Sequence, residues 1–390
     1  MKRIFLALAV LSTLIVAACG GNPMATTRPA PVAQPAATET GYPAPSRPAP
    51  PTAYPAPTQA QPAAVEGQQT LNVMTHDSFA ASEGVIQAFE QANNLKLTFI
   101  KSGDAGAALN RAILTKDAPI ADVFYGVDNT FLSRALDAGI YEPYASPLLE
   151  KIPAEFRLDA QNRALPVDYG DVCVNYDIGY FKKKNLAVPA SLEDLAKPEY
   201  KGLLVTENPA TSSPGLAFLL ATIAHFGPQG YLDYWKALRD NGLVAVNDWE
   251  AAYYTNFSAS SGKGPQPMVV SYGSSPAAEV VFANPPLKEA VTASIVGKDT
   301  CFRQIEFVGI LKGTQKATLA QKFVDFMLGQ QFQEDMPLQM FVYPVNLDAK
   351  LPDAFVKYAQ VPKEPARVSP EEIAKNRDAW IQAWTDAVLH

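Results

Sequence analysis

The chain has 390 residues, 48% of them hydrophobic and 18% charged, and a formal net charge of −7. From Cys19 onward, 30 basic residues stand against 39 acidic ones with no long basic run, which excludes a nucleic-acid partner, because phosphate backbones demand a cationic face. After the first apolar run no segment is long enough to cross a bilayer, and the length beyond the N-terminal region is about twice a typical domain, which predicts two lobes.

Met1 to Arg3 is basic, Ile4 to Val16 is apolar, and small residues lead into Cys19 in Val16-Ala17-Ala18-Cys19. This predicts a secretory signal peptide over 1–18. A cysteine directly after the small residues has the form of a bacterial lipobox, so Cys19 is expected to carry lipid and anchor an extracytoplasmic protein to its membrane. The plainer reading is a signal peptide with a chance cysteine. Residues 19–69 are rich in Pro, Ala and Thr and repeat Tyr42-Pro43-Ala44-Pro45 as Tyr54-Pro55-Ala56-Pro57. With almost no Leu, Ile or Phe such a segment cannot bury a core, and it reads as an extended spacer.

Order begins at Leu71. Leu71–Thr75, Lys96–Ile100 and Ile120–Val127 read as strands, alternating with helices marked by Val85, Ile86 and Phe89, then by Leu109, Ala112 and Ile113, then by Phe131 to Leu136 with Gly139 as the stop. The pattern returns with strands at Gly202–Thr206, Leu243–Val246, Met268–Tyr272 and Arg303–Leu311, and with apolar helices at Gly215–Phe226 and around Leu319, Phe323 and Phe326. Ser369-Pro370-Glu371-Glu372 is a capping box with proline at the first helical position, ahead of a stripe of Ile373, Trp380, Trp384 and Val388. Repeated β-α alternation predicts a mostly parallel sheet with helices on both faces.

Cys173 and Cys301 are the cysteines left after Cys19. Outside the cytoplasm such a pair reads as a disulfide, whose long loop contributes about 4–5 kcal/mol on the loop-entropy account. A free nucleophilic thiol at Cys173 is the alternative.

Open α/β sheets bind ligands at the carboxyl ends of their strands, so the polar residues there are the candidates. His76, Asp77 and Ser78 follow the first strand, Asp104 lies in the loop after the second, and Asp128 and Asn129 follow the third. Each Asp is equally a helix N-cap. Thr211-Ser212-Ser213-Pro214-Gly215 opens an apolar helix, whose free N–H groups favour an anion such as phosphate. Trp249 and Tyr253, and Tyr272 with Ser274, follow later strands. Aromatic faces beside acids suit a flat cationic heterocycle. Three histidines, one of them terminal at His390, do not make a metal cluster, and no Gly-rich nucleotide loop occurs.

Together, Thr75-His76-Asp77-Ser78-Phe79, Asp122 to Asn129, Asp168-Tyr169-Gly170, Thr211 to Gly215, Trp249 to Tyr253, Ser271 to Pro276 and Tyr343-Pro344-Val345 resemble the thiamine-binding proteins of bacterial ABC transporters. The resemblance implies an α/β, two-lobed type II periplasmic-binding-protein fold with the ligand cleft between lobes and a C-terminal helix. It implies lobe 1 over 70–168 plus 302–345, lobe 2 over 169–301, and a helical segment over 346–390. It implies a monomer that binds thiamine or its phosphate esters without chemistry or cofactor and delivers it to a membrane permease. Asp104 matches a ligand-contacting acid; Ser212, Ser213 and Gly215 match a phosphate-side loop; Trp249 and Tyr272 match cleft aromatics. Asp168 and Tyr169 sit where the chain first crosses between lobes. His76 replaces a tyrosine, and Glu83 and Ala278 replace aromatics of enterobacterial-type relatives. Two rivals share the fold. One is a ferric-iron binder using Tyr253, Tyr254, acids and His76. The other is a thiaminase-like enzyme using Cys173.

Overall fold

A computed structural model describes residues 68–259 and 263–390. The signal peptide, Cys19 and nearly all of the spacer lie outside the described residues. The strands, in chain order, are β1 Gln69–Thr75, β2 Leu95–Lys101, β3 Val123–Asp128, β4 Tyr141–Glu142, β5 Leu165–Asp177, β6 Leu204–Glu207, β7 Val244–Val246, β8 Met268–Tyr272, β9 Thr292–Ile295, β10 Phe302–Leu311 and β11 Tyr343–Pro344. All belong to one sheet whose main path runs β2-β1-β3-β10-β5-β8-β6-β7.

Each end of this path is a parallel triplet, β2-β1-β3 and β8-β6-β7. Between them run the two long strands β5 and β10, antiparallel to each other and to their other neighbours. The mostly parallel sheet expected from the alternation is therefore corrected: among the described residues, six of the ten strand pairings are antiparallel. The βαβ units do pair in parallel, but alternation carries no information about a strand that leaves one triplet for the other. The first half of β5 pairs with β10, the second with β8 and β9. Two links tie β5 to the start of β10. Cys173 and Cys301 form a disulfide with Cα atoms 4.3 Å apart, and Arg303 clasps Asp171 through Nε at 3.0 Å and Nη2 at 2.9 Å.

The helices start and stop for local reasons. Asp104 accepts from the Ala105 N–H as the N-cap of helix Ala105–Leu114, and Gly139 ends helix Leu132–Ala138 in the left-handed conformation. The helix expected to end near Phe226 extends over Ser213–Asp240. Gly227, with φ of 71°, kinks it, and Pro228 opens a second segment that buries Tyr231, Tyr234, Trp235 and Leu238. The Ser369 capping box forms as expected. Its helix, Pro370–Val388, lays Trp384 edge-on against Trp235, ring centroids 5.5 Å apart, with both rings wholly buried.

Candidate functional site

The strand ends surround a cavity of about 710 Å³. Its wall is assembled from the segments after β1, β2, β7 and β8, the start of helix Ser213–Asp240, the helix Ser275–Phe282, the middle of β10 and residues 340–342.

The aromatic wall starts at Trp249. A single π-helical turn, Ala251–Asn256, follows it; such turns are frequent at functional sites. It brings Tyr253 under Trp249, stacked at 5.0 Å and 16°, and turns Tyr254 edge-on to both. Trp249 is pinned by its indole N–H to Ser271 Oγ at 3.0 Å and its backbone N–H to Asp104 Oδ2 at 3.1 Å. Asp104 thus caps a helix beside β2 and simultaneously holds the segment after β7. Tyr272 completes the wall. Gly170 makes room for it, since a Cβ there would fall 2.7 Å from Tyr272 Cδ1.

Acids dominate the charge. Asp77, Asp104, Glu250, Glu279 and Glu306 line the cavity against one lysine, Lys101, among the described residues. The Lys101 ammonium donates to the Asp77 carbonyl at 2.6 Å, and Asp77 Oδ1 accepts from the Gly103 N–H at 2.9 Å. Tyr253 donates to Glu279 Oε1 at 2.5 Å, and burial holds the Tyr253 phenol well above its usual range. Burial raises the Asp104 and Glu306 carboxyls and lowers the His76 imidazole. Gly126, with φ of 112°, seats His76: a Cβ there would fall 2.5 Å from His76 Cδ2.

Of the residues singled out in the sequence, the structure brings His76, Asp77, Ser78, Asp104, Ser213, Trp249, Tyr253 and Tyr272 to this cavity, together with Ala278. The others lie off its wall. Asp128 is wholly buried, accepting from the N–H of Thr130 at 2.7 Å, and burial pushes its carboxyl up to about 6. Asn129 clips β10, donating to the Arg303 carbonyl and accepting from the Ile305 N–H. Asp168 accepts from the Tyr125 hydroxyl. Tyr169 is stacked between Phe156 and Tyr343. Ser274 donates to the Phe341 carbonyl. Gly215 lets its helix close on β6, where a Cβ would meet the Glu207 carbonyl at 2.5 Å. The Ser212 and Ser213 hydroxyls are buried without a conventional hydrogen bond, although each lies near enough to Asp104 or Asp128 to oppose the rise of that carboxyl. Glu83 opens helix Glu83–Asn93, accepts from Gln87 and lies outside the lining.

Sequence reasoning missed Glu250, Glu279, Phe282, Gln304, Glu306 and Phe341 as lining residues. Glu306 had a signal, an acid inside the apolar run Ile305 to Leu311. Gln304 lies near the start of β10, before the apolar run, and the others sit in helices and loops that carry no such contrast.

Both rivals weaken on geometry. Cys173 is wholly buried and bonded to Cys301, so it offers no thiolate. Tyr253 and Tyr254 both line the cavity, but their rings stand at 89° and Tyr253 is engaged with Glu279. Among the described residues no group of three or more His, Cys, Asp or Glu side chains is arranged to hold a metal ion.

Comparison with known proteins agrees with the architecture. Residues 118–365 match the family described as bacterial extracellular solute-binding protein. A thiamine-binding periplasmic protein of Brucella suis is 30% identical over 332 residues, covering 83% of this chain and 93% of the relative. The protein of that name from Escherichia coli is 30% identical over 334 residues, covering 84% and 95%. A solved periplasmic thiamin binding protein superposes with a TM-score of 0.73 at 27% identity, over 84% of this chain and 98% of that one. A ferric binding protein from Campylobacter jejuni, at 20% identity and a TM-score of 0.64 over 81% and 99%, shares the fold. The chain belongs to the bacterial extracellular solute-binding proteins, which hold a solute rather than transform it.

Proposed function

We propose that this protein captures thiamine or a thiamine phosphate ester outside the cytoplasm and passes it to the membrane permease of an ABC transporter. The observation that carries this is the Trp249–Tyr253 stack beside Asp104, in a cavity lined by five acidic side chains and one lysine among the described residues. Such a wall attracts a flat cation by dispersion, by the ring quadrupole and by net charge, and thiamine carries a cationic thiazolium. The thiamine-binding names of the relatives point the same way. A phosphate would sit by Ser212 to Gly215, where a long helix starts with Pro214 at its first turn and two hydroxyls lack conventional partners.

The two-lobe reading takes β5 and β10 as the crossings, with lobe 1 over 70–168 plus 302–345 and lobe 2 over 169–301. The Asp104–Trp249 hydrogen bond and the Gly106 N–H to Thr211 carbonyl bond at 3.0 Å then join the lobes, and ligand binding favours this closed arrangement because both lobes touch the guest. Anchoring by lipid on Cys19 and a monomeric state complete the reading. The first rests on the Val16 to Cys19 sequence, and mass spectrometry of the membrane-extracted chain tests it.

Calorimetric titration of the purified protein with thiamine, thiamine monophosphate and ferric iron tests the whole. Saturable binding of either thiamine compound supports it. No retention of either, or a visible charge-transfer band with iron, refutes it.

A further inference from the structure

The site as described leaves one group without a role: a carboxyl pair buried where the long strands cross. Glu306 on β10 and Asp168 on β5 stand opposite each other in the register. The Tyr125 hydroxyl, from β3, lies 2.6 Å from Asp168 Oδ2 and 2.8 Å from Glu306 Oε2. A phenol has one proton to donate. Two such contacts therefore place a second proton on the carboxyl pair, and burial, which raises both groups, agrees with that, as does repulsion from Glu306 at Asp168. The other titratable groups that face the pair are His76 after β1, Asp128 on β3 and Tyr272 on β8. No lysine or arginine among the described residues forms an ion pair with either acid.

Asp168 is sealed off, whereas Glu306 reaches the cavity wall beside His76. Glu306 Oε1 and His76 Nε2 are 3.7 Å apart, too far for a hydrogen bond to each other, and His76 Nε2 is buried with no partner. The cavity thus presents a carboxyl oxygen and an imidazole nitrogen side by side, spaced to meet two neighbouring polar atoms on one edge of a ring.

We propose that Glu306 and His76 read an amidine-type edge, a ring nitrogen beside an exocyclic amino group, as an aminopyrimidine presents. The amino group donates to Glu306 Oε1 and the ring nitrogen accepts from His76 Nε2–H. This extends the thiamine reading and rests on it. The two rings of the ligand are thereby divided. The neutral aminopyrimidine lies at the crossing strands, where the acids share protons and carry little net charge, and the cationic ring lies against Trp249, Tyr253 and Asp104.

The test titrates the full chain and its Glu306→Leu and Glu306→Gln variants with thiamine and with the analogue carrying a carbonyl in place of the amino group. A site built for an amino donor is left with an unpaired buried acceptor by the analogue, so wild type prefers thiamine by about tenfold or more. Glu306→Leu erases that preference by weakening thiamine alone, and Glu306→Gln, which keeps the acceptor oxygen, retains it. Equal weakening of both ligands by Glu306→Leu, or no weakening, overturns the assignment of the edge while the thiamine reading stands. Failure of wild type to bind either ligand overturns both. Should Glu306→Leu not fold, His76→Phe probes the same edge from the other side: loss confined to thiamine supports the proposal, and equal loss refutes it.

Discussion

Asp128 offers a quantitative check on how the buried acids behave. Its carboxyl is wholly buried, held by the Thr130 N–H at 2.7 Å and the Thr130 hydroxyl at 2.5 Å, and burial moves its titration from 3.8 to about 6. A folded-state value above the unfolded one means that the native protein binds the proton more tightly. The carboxyl then costs nothing below about pH 3.8, costs progressively more between the two values, and carries its full penalty of about 3 kcal/mol above pH 6. Asn keeps an oxygen for Thr130 and cannot ionise. The stability of Asp128→Asn relative to wild type should accordingly rise by about 2 kcal/mol between pH 4.5 and 7.5. Urea unfolding followed by far-ultraviolet circular dichroism at the two pH values, comparing the two proteins, reads this difference directly. Acids remote from Asp128 titrate alike in both proteins and cancel. A stability difference that does not change with pH would refute the claim that burial raises the titration of this group to about 6.

Three other perturbations separate the binding wall from the scaffold. Trp249→Ala and Tyr272→Ala remove faces offered to a cationic ring and should each weaken thiamine binding by about tenfold to a hundredfold, with both variants still unfolding cooperatively; retained affinity in both would displace the site. Gly126→Ala sets a Cβ against His76 at a φ of 112° and should lower thiamine affinity by moving that ring, measured by the same titration. Replacing both Cys173 and Cys301 with Ala opens a loop spanning 128 residues and should cost about 4–5 kcal/mol of stability in denaturant titration. In wild type both sulfurs are buried, so a thiol reagent should find no reactive group until the protein is unfolded.

How far the sequence could be read depended on whether local pattern or distant partners decide the outcome. The strands of the two parallel triplets are short apolar runs between helices with clear caps, and their positions were legible to within a few residues. Strand β5 was not, because Pro166, Asp168, Gly170 and Asp171 interrupt its apolar residues. Those interruptions exist for tertiary reasons: Asp168 meets Tyr125, Gly170 yields to Tyr272, and Asp171 takes Arg303. The same limit applies to the acids after the first three strands. Asp77, Asp104 and Asp128 look alike as polar residues at strand ends. Asp104 shares its oxygens between a helix cap and the Trp249 N–H, Asp77 joins two loops on the cavity wall, and Asp128 is buried behind it.

Glu306 shows the converse. A charged residue within Ile305-Glu306-Phe307-Val308 breaks a rule that an otherwise apolar strand obeys, and a buried acid without a cation is costly enough to demand a reason. That break was visible in the sequence, but its meaning required the strand opposite, since only the register shows that Glu306 faces Asp168 across β5. A cavity assembled at the carboxyl ends of strands from two triplets therefore announces its contributing segments in sequence, because each must end in polar residues. Which side chains of those segments face inward is decided by the two strands that cross between the triplets, where the local signal is weakest.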